Sequence, residues 1–390
     1  MRFGRLRRIG VATAAIAALT LAAACSSSGG STASTNGSQP GSHFRSGSAD
    51  VGGQNSATVA SYMRPPTTLP VSMPVSKAIP TGAKVVFLAQ PFSQSLSLAN
   101  GLKDAARVLG WRVQVLKYDP ANPPTFTTSL NTAISEKPTA IVITGALRQQ
   151  FAAQIPIARA AHIALVPAIT PEIDQQPGVY PVLNSDAELG YQAKMIAQTV
   201  LADAASSGQT AHILQITVPE VAAYLSIEDT VVQNEISTKC SRCTRDLLKV
   251  NLANLFNGNY TQQVVSYLQS HPDINYILSD SGQAGDGLAA ALSQAGLTKV
   301  KRYGIAATNL QIQALKNGQP ETWTIQPFRA DGWIIADQVA RVMVGDPTDL
   351  WKNEHLAYVV TSSNVPDVTN PDDAAVPADY QAQFEKLWHK

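Results

Sequence analysis

Cys240 and Cys243 stand three positions apart around Ser241 and Arg242. Such a pair can help ligate zinc, cycle between thiol and disulfide, or close a short covalent loop. No histidine or second cysteine pair lies near it, so a zinc site would lack ligands. In an oxidising compartment a structural disulfide is the favoured reading and a redox-active pair the sharper alternative. The Gly- and Asp-rich stretch 279–287 has cation-loop character but lacks the glutamate that closes an EF-hand, so it reads as a strand-to-helix turn. No G-x-x-x-x-G-K-[ST], G-x-S-x-G or H-E-x-x-H occurs, and the 6 histidines form no ligand-spaced cluster with carboxylates. Without a nucleophile, base and orienting group that can be named together, the chain is read as a non-enzyme that requires no cofactor and no metal.

What remains is binding chemistry. Lys and Arg total 29 against 28 acids, and no basic patch follows the first eight residues, so nothing draws the chain to nucleic acid. Short β-branched runs alternate with amphipathic stretches, as in βαβ units of a parallel sheet. Predicted strands cover 85–89, 112–116, 140–144, 163–166 and 180–183, then 212–217, 247–250, 276–278 and 302–306. Leu98, Leu102, Ala105 and Leu109 mark one helix face that Gly110 ends; Val264, Val265 and Leu268 mark another before Pro272; and Leu288, Ala291 and Leu292 lead to Gly296. Pro156 predicts a kink or late helix start within 149–161. Two successive strand series imply α/β architecture with two doubly wound lobes, whose strand ends would line one cleft.

Several fragments carry a family resemblance: Phe87 to Phe92 after the first strand, Asn184-Ser185-Asp186 with Gly190, the run from Gly287 to Gly296, and Ile325-Gln326-Pro327 with Gly332. Over about 84–360 the chain resembles the type 1 periplasmic binding proteins, in the branch serving sugar importers of the ribose and galactose kind. The resemblance implies three chain crossings, near Ser185, Gln326 and His355. It places 84–185 with 327–355 in one lobe and 186–326 with 356–364 in the other, leaving 365–390 as a tail. It also implies a monomer that closes on a small-molecule ligand and hands it to an ABC permease in the membrane.

Family sugar sites combine aromatic faces with polar groups for the hydroxyls. Gln90 and Phe92 match that pattern, whereas Ser93 stands where the family has a second aromatic. The family's arginine after the strand ending at Thr217 has no counterpart, and Tyr224 takes its place. The family's Asn-Asp falls at Ser281-Gly282, and its Asp at the end of 302–306 is Ala306, with Asn309 the nearest polar residue. Gln326 is expected as a polar contact at the second crossing and Thr170 as a further contact. Losing both carboxylate and guanidinium disfavours a standard aldose and favours a more neutral or partly apolar ligand. Asp280 and Asp286 could supply a displaced carboxylate only after a register slip.

The N-terminus carries Arg2, Arg5, Arg7 and Arg8 ahead of an apolar, Ala-rich run at 9–24, too short for an ordinary membrane span. Leu21-Ala22-Ala23-Ala24-Cys25 resembles a lipobox with Leu displaced by one position, implying signal peptide 1–24, lipidation of Cys25 and extracytoplasmic display on the membrane. Residues 25–83, rich in Ser, Gly, Thr and Pro, are expected to form a disordered tether. A ligand-sensing receptor for a signalling partner is the rival reading. A transcription regulator of similar fold would need DNA-binding helices where this chain has a leader.

Overall fold

The computed structural model of the protein describes residues 52–171, 173–221 and 230–390. Helix α1, Gly52–Tyr62, precedes the first lobe. That lobe opens with β1 (Lys84–Ala89), α2 (Ser93–Leu109), β2 (Arg112–Lys117), α3 (Pro123–Ser135) and β3 (Ala140–Thr144). Then come α4 (Arg148–Phe151), α5 (Ile155–Ala160) and β4 (Ala164–Ala168). Its sheet runs β2-β1-β3-β4, all parallel. The second lobe holds α6 (Ser185–Ser206), β5 (His212–Thr217), α7 (Val232–Lys239) and β6 (Thr244–Lys249). It continues through α8 (Leu252–Phe256), α9 (Tyr260–Ser270), β7 (Tyr276–Ser279), α10 (Leu288–Gln294), β8 (Lys301–Gly304), α11 (Asn309–Lys316) and β9 (Glu321–Ile325). Helix α12 (Phe328–Val344) returns to lobe 1, β10 (Tyr358–Val360) to lobe 2, and α13 (Tyr380–Leu387) to lobe 1. The second sheet runs β10-β9-β8-β7-β5-β6, parallel except for β10 against β9.

The burial pattern follows the sequence. The apolar runs of β1, β3 and β4 are buried on both faces, as strands covered by helices must be, whereas the edge strands β2 and β6 are half-exposed. Helix α2 ends at left-handed Gly110 as its pattern predicts, and α5 starts with Pro156 in its first turn. Helices α2 and α12 cross at a glycine pair. A Cβ on Gly101 would lie 1.9 Å from the Arg329 carbonyl oxygen, and one on Gly332 2.4 Å from that of Leu98. Three details depart from the sequence reading. Residues 180–183 form no strand, only one isolated bridge, from Val182 to Ala168 of β4. Strand β6 begins earlier than expected, and β9 was not anticipated as a strand.

The lobes are joined at 183–185, 325–328 and 345–358, and the first and third junctions touch: Leu183 and Asn184 donate backbone hydrogen bonds to Trp351 and Lys352. Both chain ends add further ties. The expected tether is corrected over 57–83, which packs onto the body. Helix α1 sits on α6 of lobe 2, where the Tyr62 hydroxyl donates to Gln198 Oε1 at 2.9 Å and its ring meets Tyr191 edge-on. Tyr191 in turn stacks on His355, at a centroid distance of 3.9 Å. Beyond Met63 the chain moves to lobe 1, burying Leu69, Val71, Val75 and Ile79. Leu69 N donates to Gln383 and Val75 N to the Leu387 carbonyl. The residues after β10 also return to lobe 1, so the tail is part of the fold. Trp388 stacks on Trp333, and Asp337 accepts from Trp351, Trp388 and the wholly buried Arg341 at 2.6, 2.7 and 2.6 Å. Arg341 also donates to the Met73 carbonyl. That one carboxylate therefore organises α12, the third crossing and the C-terminus, with the N-terminal segment joined through Arg341.

Candidate functional site

The carboxyl ends of both sheets face a cleft that encloses about 70 Å³. Lobe 1 contributes Gln90 and Phe92 from the turn after β1, then Gln94, Ser95 and Leu98 from the first turns of α2. Thr144 and Gly145 close β3, and Ile169 follows β4. Lobe 2 adds Leu189, Val221 and Ala306, while Phe328 opens α12. Among the described residues, no charged side chain lines this chamber. Its polar groups are mostly engaged already. Ser95 Oγ accepts from Gln90 N at 3.0 Å, and Thr144 Oγ1 donates to the Leu88 carbonyl. Gln90 is 6% exposed, and its Nε2 has no hydrogen-bond partner among the described residues. An unpaired buried amide costs about 1–3 kcal/mol, so a ligand acceptor placed there would be bound in preference to an apolar group. Ile169 and Ala306 both sit at φ 50°, a region that a β-branched residue occupies only under strain. At the mouth, Gln283 Nε2 of lobe 2 donates to Gln94 Oε1 of lobe 1 at 2.6 Å, and Phe92 lies 5.6 Å from Phe256. The lobes are therefore in contact across the cleft.

The other expected contacts are placed elsewhere. Ser93 is exposed at the start of α2, and Asn309 is exposed in the first turn of α11 behind its cap, Thr308. Ser281 is buried and caps its own turn by accepting from Ala284 N. Thr170 is buried at the first crossing, its carbonyl accepting from Ser185 N. Gln326 belongs to a buried chain: Thr324 donates to Gln192, Gln192 to Gln326 at 2.8 Å, and Gln326 to Asp331 at 2.9 Å. Each end of its amide is thus engaged, and Gln326 is not among the residues that line the chamber. Asp280 accepts from Gln215, and Asp286 from Thr308 and Gln311, so neither carboxylate is displaced into the cleft. Tyr224 and Cys25 lie outside the described residues. Cys240 and Cys243 are joined as a disulfide between the end of α7 and β6, far along the chain from every residue lining the chamber.

Beside the cleft, at the first two crossings, Glu188 and Asp331 are fully buried, each with one carboxyl oxygen lacking a partner among the described residues. Burial, reinforced by Asp331, holds Glu188 well above the usual carboxylate range. Burial likewise pushes Asp331 up to about 7, against the hydrogen bond from Gln326. Leu189 and Phe328, close to them in sequence, line the chamber, so the acids sit at the junction from which lining residues project.

Two facing α/β lobes, joined by three chain crossings around a shared cleft, form the architecture of a binding protein. The sequence agrees: residues 87–347 match the periplasmic binding protein domain family, and the chain belongs to that family. Among solved structures, an ABC sugar transporter subunit from Rhodobacter sphaeroides aligns at 16% identity with TM-score 0.61, covering 72% of this chain and 98% of its own. A sugar ABC transporter protein from Yersinia enterocolitica aligns at 16% and 0.62, covering 80% and 95%. The 5-methylthioribose transporter solute binding protein of Thermotoga lettingae, solved with 5-methylthioribose, aligns at 17% and 0.62, covering 80% and 99%. At such identities the likeness shows the fold. No curated protein matches the chain.

Proposed function

We propose that the protein is the substrate-binding lipoprotein of an ABC importer, displayed outside the cytoplasm by a lipid on Cys25. It closes as a monomer on an uncharged, partly apolar small molecule, delivers it to a membrane permease and performs no chemistry. The observation that carries the reading is the chamber itself: an interlobe space lined by Phe92, Phe328 and aliphatic side chains, with carboxamides in place of charges. An ionic ligand would lose its hydration there without a counter-charge, whereas a neutral one gains apolar contact and Gln90. The solved relatives support the transport setting, because those named for sugars and for 5-methylthioribose share the two-lobed architecture. The disulfide Cys240–Cys243 is in keeping with an oxidising compartment.

The test is a thermal-shift screen of the full chain against sugars, polyols, nucleosides and apolar metabolites, with charged analogues alongside. A ligand at about 100 Kd adds about 2.7 kcal/mol to the native state, and Phe92→Ala with Gln90→Ala should remove the shift. If no compound stabilises the protein, or anions do so best, the reading fails. Cys25→Ala should release the protein from membranes, and retention would overturn the anchor.

A further inference from the structure

A second cavity, of about 90 Å³, adjoins the first, and Gly145 lines both. The two chambers differ in chemistry. The inner one is walled mainly by aromatic and aliphatic side chains and, among the described residues, bears no charge. The outer one, formed by the loops after β2 and β5 with the start of α4, presents Asp119, Gln150 and Glu220 among prolines. One oxygen of each acid holds a backbone amide, Ala121 N for Asp119 and Leu252 N for Glu220, which fixes the side chain and leaves the other oxygen to accept a hydrogen bond. At the junction, Gly145 adopts φ +63°, and a Cβ there would come within 2.7 to 2.8 Å of the Gln90 amide atoms. The residue without a side chain thus leaves room for the Gln90 amide, whose Nε2 has no hydrogen-bond partner among the described residues, at the boundary of the two chambers.

The geometry points to a two-part ligand: a hydroxyl-bearing head held by Asp119 and Glu220 in the outer chamber, an acceptor atom at Gln90, and an apolar arm between Phe92 and Phe328 in the inner chamber. This deepens the receptor reading above and rests on it. A polyol alone leaves the apolar chamber unfilled, and a hydrocarbon alone leaves Gln90 unpaired. A carboxylate on the head would face Asp119 and Glu220, where like charges repel.

Calorimetric titration of the full chain with matched pairs tests this: ribose with 5-methylthioribose, and glucose with phenyl β-glucoside, then phenyl β-glucuronide and toluene. One arm-bearing sugar should bind at least about tenfold more tightly than its parent, its carboxylated analogue and toluene. Phe328→Ala should erase that advantage while leaving the parent sugar's affinity in place. Asp119→Asn with Glu220→Gln, both on exposed loops, should weaken parent and arm-bearing sugar alike, by about fivefold. Equal affinity within every pair, or indifference to the loop double variant, overturns the two-part ligand. If parent sugars bind without any gain from the arm, the inference fails and the receptor reading stands. If nothing in the wider thermal-shift screen binds, the receptor reading fails as well.

Discussion

The mouth of the cleft and the back of the hinge are built on opposite terms. At the mouth the lobes meet through the Gln94–Gln283 hydrogen bond and the Phe92–Phe256 ring pair, with Phe256 still half-exposed. At the back, the three crossings are overlaid by both chain ends, and one buried carboxylate, Asp337, gathers two tryptophans and Arg341. Contacts at the mouth are few and water-accessible, whereas those at the back are dry and mutually dependent.

The comparison breaks first at Asp337. Asp337→Ala leaves Arg341 buried without its partner and should cost about 3–5 kcal/mol, read as a fall in the denaturation midpoint. A loss below about 1 kcal/mol would mean that the back is not the stronger side. Gly332→Ala, which drives a methyl into the α2 backbone, should cost about 1–3 kcal/mol. Tyr62→Ala should cost about 1 kcal/mol and accelerate amide exchange in 57–62 selectively; unchanged exchange there would show that α1 does not bind the hinge. At the mouth, Phe256→Ala should leave stability within about 0.5 kcal/mol while altering ligand affinity, the reverse of the pattern at the back.

A pH series sharpens the contrast. Asp331 and Asp372 are pushed up to about 7 from their ordinary 3.8, in both cases chiefly by burial. The folded state therefore holds more protons than the unfolded one between those values. Their contribution to stability is greatest below about pH 4 and falls as pH rises to about 7. Asp331→Asn should flatten that decline in the melting temperature, and an unaltered slope would remove Asp331 from the hinge's pH response.

The strands that form both cores were legible because β1, β3, β5 and β7 are short apolar runs, each with its own local signature. Strand β9 was not: Glu-Thr-Trp-Thr-Ile alternates weakly and leads into Gln326-Pro327, which reads as a crossing. The site divided in the same way. Gln90 and Phe92 could be placed because they follow the first strand directly. Leu98 carried the signal of a core-facing helix residue, and Leu189 and Phe328 reach the chamber only because two crossings converge. Gln326 looked available until its amide partners, Gln192 and Asp331, came together from distant segments. Residues 57–83 read as tether because Leu69, Val71, Val75 and Ile79 are spaced among Pro, Thr and Ser with no helical or strand period, and their burial depends on α12 and α13.

That last segment sets where the protein can be cut. A version trimmed to begin at Lys84 would strip the cover from the apolar seats of Leu69, Val71, Val75 and Ile79 and bare a greasy furrow along lobe 1. Such a product should clump on storage, whereas one that begins ahead of Val59 should stay dispersed.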